Sequence, residues 1–132
     1  MQWKELEGEI DNLASLITEP IEIIAPIARG GLIPGRLLAS KLHVKTMYSL
    51  SVAKSQKQRK VVTEIKTDLV NKHVLLVEDM LETGTSMIAA KKYLEKRGAI
   101  VRTACLYTMP KTQMTPNYSL RIVTAIVSFP WE

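Results

Sequence analysis

Apolar residues recur along this chain with two different periods. Trp3, Leu6, Ile10, Leu13 and Ile17 fall at three- and four-residue steps, which predicts an amphipathic helix stopped at Thr18-Glu19-Pro20. The next apolar run, residues 21–25, is too short for a helix and predicts a strand. It feeds Pro26-Ile27-Ala28-Arg29-Gly30-Gly31, after which Leu32-Ile33-Pro34-Gly35 opens a second helix to about Leu42. Residues 44–50 predict a strand, 51–60 a polar and basic loop, and 61–65 a further extended segment. The run of Val and Leu after Lys72 reads as a strand buried on both faces, ended by Glu78 and Asp79. Residues 87–97 continue as a helix from the small segment Thr83-Gly84-Thr85-Ser86, with Gly98 at its C-terminal cap. Residues 101–107 predict a strand, 108–118 a proline-containing loop and 120–127 a last strand. Strands alternating with helices imply right-handed βαβ units in one α/β domain over residues 1–132, with a mostly parallel central sheet flanked by helices.

Composition changes this picture little. A chain of 132 residues with 46% hydrophobic and 23% charged positions supports a core of ordinary size. No apolar run is long enough to span a bilayer, and the acidic, amphipathic MQWKELEGEID start does not read as a signal peptide, so no membrane association is expected. Cys105 is the lone cysteine and lies in an apolar run, which predicts a buried thiol in a protein of the reducing cytoplasm. The net charge of +5 favours polyanionic ligands. Nucleic acid is the lesser alternative, because no basic patch is interleaved with aromatic residues. His43 and His73 precede predicted strands with no other metal-ligand residues clustered around them, and they read as structural.

The candidate chemistry sits where strands meet helices, since ligands of parallel sheets bind outside the carboxyl ends of the strands. In KHVLLVEDMLETGTS a buried strand runs into a glycine turn and a helix start. Backbone N–H groups and hydroxyls there form an anion site. Glu78 and Asp79, one step upstream, suit sugar hydroxyls or a hydrated Mg²⁺, and Glu82 adds a third acid in the turn. A phosphate cup beside a diol and metal clamp fits a ribose 5-phosphate. The same arrangement also serves as an ordinary capped βα turn. In the earlier turn, Gly30 and Gly31 allow a ligand close to the backbone, and Arg29 is suited to grip phosphate oxygens two at a time. The alternative is a plain turn bearing a surface arginine.

VLLVEDMLETGTS resembles the 5-phosphoribosyl 1-pyrophosphate (PRPP) signature of type I phosphoribosyltransferases, and IARGGLIPGRLLASKL resembles the pyrophosphate loop of their xanthine–guanine members. With the Phe-Pro-Trp-Glu ending, the likeness covers nearly the whole chain. It implies the type I phosphoribosyltransferase fold with a small C-terminal hood. It implies transfer of phosphoribose from Mg²⁺-bound PRPP to a purine base, giving a nucleoside monophosphate and pyrophosphate. By the same likeness, Ala28, Arg29, Gly30 and Gly31 would hold pyrophosphate, and Glu78 and Asp79 would bind ribose hydroxyls and Mg²⁺, directly or through water. Thr83, Gly84, Thr85, Ser86 and the amide of Met87 would hold the 5-phosphate. Glu82, Asp79 and Arg29 are the expected catalytic set, with Glu82 managing the proton at purine N7. Ser51, Lys54, Lys57 and Arg59 would belong to a lid, joined by Lys60. A cis or otherwise unusual peptide is expected at Ala28–Arg29 or its neighbour, and a homodimer or homotetramer is expected, compatible with an exposed Pro-Trp tail.

The chain departs from the resembling enzymes at the base. Glu82 replaces the usual Asp, Val52 the usual Tyr of the lid, and Met109 the lysine that reads a 6-oxo group. Ile126 stands where an aromatic stacks on the base. Lys111, Ile126 and Val127 are therefore the candidate base contacts. A non-catalytic PRPP or nucleotide sensor, and a transferase for another base, stay open as alternatives.

Overall fold

The computed structural model describes residues 1–55 and 58–132, with Ser55 described in its backbone alone. The order is α1 (Trp3–Leu16), β1 (Ile23–Ala28), α2 (Leu32–Leu42), β2 (Thr46–Met47), β3 (Leu50–Ser55), β4 (Gln58–Val61), β5 (His73–Leu81), α3 (Thr85–Lys96), β6 (Ile100–Thr108) and β7 (Arg121–Ile122). The strands of the described residues form one sheet in the order β4-β3-β1-β5-β6-β7, with β2 also paired to β1. Among the described residues, only the β3–β4 pair is antiparallel. This is the expected α/β class.

The two faces of the sheet explain the run of Val and Leu in β5. Val74 and Leu76 point into one core with Met87, Ala90 and Leu94 of α3. Leu75 and Val77 point into the other, with Leu6, Ile10 and Leu13 of α1 and Leu38 of α2. Alternate residues thus serve opposite layers, so the strand has no polar face. Helix α2 follows β1 on one face and α3 follows β5 on the other. Strand order therefore reverses between β1 and β5, and a crevice opens at their carboxyl ends.

Five expectations are corrected. The first strand runs on to Ala28, through Pro26. On that side β1 pairs with β2 at Ile23 and Ile24 and with β3 at Ile27 and Ala28, so Pro26 falls in the gap between them, where its missing N–H breaks no ladder. Residues 44–50 are not one strand, and most of the basic stretch 51–60 is not a loop. Its flanks pair as the β3–β4 ribbon, with Val52 opposite Val61 and Lys54 opposite Arg59. A polar ribbon at a sheet edge lacks the apolar alternation that marks a half-buried strand. The last strand is confined to Arg121–Ile122, leaving Ile122 and Ile126 each 69% exposed. Finally, the Pro-Trp tail is not free. Phe129 is buried, stacks on Trp131 with ring centroids 4.8 Å apart, and lies 6.1 Å from the Tyr107 ring. Trp131 in turn meets Trp3 of α1 at 6.4 Å.

Candidate functional site

Both candidate turns lie at the crevice between β1 and β5. Strand β5 continues through Glu78 and Asp79 to Leu81, and the chain turns at Gly84 with φ of +80°. That angle favours glycine, and a Cβ there would lie 2.7 Å from Thr112 Oγ1. The first internal bond of α3 is donated by Ile88 N–H to the Gly84 carbonyl at 3.0 Å. The amides of Thr85, Ser86 and Met87 precede it and have no partner within the helix. Thr83 and Thr85 hydroxyls lie 3.1 Å apart, and Arg59 Nε donates to Thr85 Oγ1 at 3.3 Å. A cavity of about 190 Å³ is lined by Arg59, Glu78, Glu82 and residues 83–86 among others.

On the β1 side, the Ala28–Arg29 peptide is cis, as the resemblance implies. Arg29 is exposed. Gly30 lies against Asp79, and a Cβ on it would come within 2.4 Å of Asp79 Oδ2. A Cβ on Gly31 would meet backbone instead, 2.3 Å from the Val77 carbonyl oxygen and 2.7 Å from that of Ile27. Arg29, Gly30, Leu32, Ile33, Glu78, Asp79, Trp131 and Glu132 line a cavity of about 830 Å³. Glu78 borders both cavities, so the turn before α3 and the Arg29 side meet at this residue.

The carboxylates are held in an unfavourable setting. Burial pushes Glu78 up to about 8, the neighbouring charge of Asp79 adds to this, and Arg59 works against it. Burial also raises Asp79, and Glu132 adds to the shift, while the Met80 N–H donated to Asp79 Oδ1 at 2.7 Å opposes it. Two adjacent acids that resist ionisation are suited to a cation or a set of hydroxyl donors. Burial likewise pushes the Cys105 thiol up to about 12, with the Glu78 charge assisting, as expected of a core cysteine.

The segment after β6 closes over the turn. Met109 N–H donates to the Leu81 carbonyl at 2.9 Å and Gln113 N–H to the Thr83 carbonyl at 2.8 Å. Lys111 Nζ lies 3.0 Å from Glu82 Oε1. The two-residue displacement of this lysine from the resembling pattern thus still ends at the third acid. Ile126 is exposed, and Val127 packs against the α1–α2 core; neither lines the two cavities above. Of the expected lid residues, Arg59 lines the cavity at residues 83–86, Lys54 lines a neighbouring cavity with Arg59, Ser51 donates its N–H to Thr63 Oγ1, and Lys57 lies outside the described residues. Sequence reasoning missed Trp131 and Glu132 as groove residues. Their ending was legible only as a family feature, because the fold that brings them to Asp79 is long-range. Among the described residues, no helix is long and apolar enough to cross a membrane, and no three His, Cys, Asp or Glu side chains converge as a metal cluster.

The phosphoribosyl transferase domain family matches residues 2–132. The chain is 28% identical to the xanthine-guanine phosphoribosyltransferase of Gluconobacter oxydans, over 98% of this chain and 82% of that protein. It is 34% identical to the orotate phosphoribosyltransferase of Staphylococcus epidermidis over 69% of this chain, spanning 45% of that protein's length. In structure it is similar to a purine phosphoribosyltransferase from Pyrococcus horikoshii, with a TM-score of 0.92 and 29% identity, covering 100% of this chain and 92% of the other.

Proposed function

Since the chain belongs to the phosphoribosyl transferase family and is a pentosyl-transferring enzyme, we propose that it moves the phosphoribosyl group of PRPP to a 6-oxopurine. The C1–oxygen bond to pyrophosphate breaks, a bond from C1 to a ring nitrogen of the base forms, and a nucleoside 5′-monophosphate results. The observation that carries this reading is the juxtaposition, around Glu78, of N–H groups at residues 85–87 that have no partner among the described residues with two adjacent carboxylates and the Arg29 turn.

Each group then has a role. The amides of Thr85, Ser86 and Met87, with the Thr83, Thr85 and Ser86 hydroxyls, hold the 5-phosphate at the positive end of α3. Glu78 and Asp79 accept hydrogen bonds from the ribose hydroxyls and fix C1 against the base. Arg29 and the backbone of Gly30 and Gly31 receive the departing pyrophosphate. The transition state carries positive charge on the sugar, so positioning and charge placement supply the rate. Glu82 takes the proton the base loses, and Lys111 beside it offers a donor to the 6-oxo group. Purine salvage in the cytoplasm is the setting this chemistry suits.

Mg²⁺ fits the donor set. Glu78 and Asp79 are hard oxygen ligands whose protons are held abnormally tightly, and Mg²⁺ with few protein ligands keeps water and phosphate oxygens for the rest. When bound, the ion neutralises charge on the pyrophosphate group. The test is pyrophosphate release from PRPP and Mg²⁺ with guanine, xanthine, hypoxanthine, adenine and pyrimidines in turn. Release with the 6-oxopurines and not with adenine supports the reading. Tight PRPP binding without release from any base would identify a sensor instead.

A further inference from the structure

Helix α2 has two ends, and the Arg29 turn occupies only the first. At the second, a cavity of about 470 Å³ is lined by Arg36, Ser40, His43 and Lys45, together with Val44 and Met47. It shares no residue with the two cavities that Glu78 borders. Along a helix of 11 residues, at about 1.5 Å per residue, it stands roughly 16 Å from Gly31. Its volume falls within the roughly 300–1,000 Å³ of sites that take small organic ligands.

The charge of this cavity is one-sided. Arg36 and Lys45 are cationic, His43 adds an imidazole, and no carboxylate joins the lining. Among the described residues, none of the three makes an ion pair, whereas Lys41 of the same helix end is paired with Asp11 of α1 at 2.7 Å. Basic side chains near a helix C-terminus can serve its last carbonyls. Here the backbone already does so, since Val44 N–H donates to the Ala39 carbonyl at 2.9 Å and His43 N–H to that of Ser40 at 3.4 Å. His43 itself has φ of +58°, a left-handed conformation that glycine adopts more easily, yet the chain keeps an imidazole there. Arg36 Nη1 donates to Ser40 Oγ, one turn on, which fixes the guanidinium and leaves its other N–H donors for a ligand.

We propose that the cavity between the end of α2 and β2 is a second ligand site, which binds a phosphomonoester. The phosphate sits between Arg36 and Lys45 with His43 as a further donor, and the organic part lies on Val44 and Met47. Arg36 supplies the paired donors that phosphate oxygens accept, and Lys45 supplies a mobile point charge. The site is separate from the reaction groove, so its ligand and PRPP bind at the same time. The proposal does not rest on the phosphoribosyl reading of that groove. A nucleotide and a sugar phosphate share the required chemistry.

The test is a titration of the full chain, held saturated with Mg²⁺ and PRPP, followed by amide correlation NMR. The probes are AMP, glucose 6-phosphate and inorganic phosphate, the first two separating the nucleotide source from the sugar source. The amides of residues 39–47 are expected to shift with at least one ester, and those of Thr85–Met87 to stay in place. That ester is expected to bind at least about tenfold more tightly than inorganic phosphate, because its organic part covers apolar surface. Arg36→Glu and Lys45→Glu, both at exposed positions, are each expected to weaken it at least about tenfold, with kcat and the PRPP KM unchanged. Absence of shifts at residues 39–47 with every probe overturns the proposal. So does binding that survives both charge reversals, or inorganic phosphate that binds as well as the esters. If PRPP fails to bind, the reading of the groove falls, and the same titration without PRPP still decides this site.

Discussion

Gly30 and Gly31 are adjacent, yet replacing each with alanine should break different things. A Cβ on Gly30 would sit 2.4–2.8 Å from the carboxylate atoms of Asp79. That carboxylate is the free end of a side chain and can rotate away. The cost is the hydrogen bond from Met80 N–H at 2.7 Å, about 1 kcal/mol for a half-buried group. A Cβ on Gly31 would lie 2.3 Å from the Val77 carbonyl oxygen and within 2.9 Å of two backbone atoms of Ile27. Those are backbone atoms of β5 and β1, the Ile27 carbonyl already accepting the Gly31 N–H at 2.8 Å, and they have nowhere to go, so overpacking should cost roughly 3 kcal/mol or more. With roughly 3–5 °C of melting temperature per kcal/mol for a chain of this size, Gly31→Ala should lose about 10 °C or more and Gly30→Ala less than about 5 °C. Function should reverse in emphasis. A displaced Asp79 no longer meets the ribose hydroxyls, and a misplacement of about 1 Å costs up to about 100-fold. Thermal melts paired with calorimetric titration of Mg²⁺ and PRPP check both halves. If Gly30→Ala binds PRPP as wild type does, or melts as low as Gly31→Ala, the contact between Gly30 and Asp79 does not set the clamp.

Other outcomes follow from single contacts. Asp79→Asn should stay folded and bind Mg²⁺-PRPP at least about tenfold more weakly, read by calorimetry, because half the carboxylate clamp is gone. Lys111→Ala should reduce guanine turnover by roughly 10- to 100-fold, the cost of about 1–3 kcal/mol for a missing donor, and Met109→Lys should raise turnover; steady-state rates check both. Burial works to raise Glu9, but hydrogen bonds from Tyr107 at 2.7 Å and from Arg121 outweigh it and hold the carboxyl below its ordinary 4.5. Its contribution to stability is therefore present above about pH 4.5 and is lost as pH falls through the lower folded value. Glu9→Gln should melt lower than wild type at pH 7, and the difference should close in melts taken below pH 4.5.

What the sequence showed and what it hid divide along one physical line. The β5–turn–α3 unit was legible because each of its signals is local: a buried apolar run, acids at its end, a glycine turn and hydroxyls before a helix. The Gly30-Gly31 turn was legible for the same reason. The β3–β4 ribbon was not, because a cross-strand pair such as Lys54 and Arg59 shows no apolar alternation. The C-terminal stretch misled in the opposite sense. Residues 120–127 have the apolar content of a strand, yet Ile122 and Ile126 face solvent while Phe129 takes the buried place on Tyr107. Only long-range packing decides between them.

The central claim is that the turn after β5 holds the 5-phosphate of a ribosyl ligand. A crystal structure with a bound nucleoside 5′-monophosphate tests it most directly. The account predicts phosphate oxygens within hydrogen-bond distance of the amides of Thr85, Ser86 and Met87, with the ribose hydroxyls at Glu78 and Asp79. Clear density for the nucleotide with its phosphate anywhere else, or with its ribose turned away from both carboxylates, would contradict it.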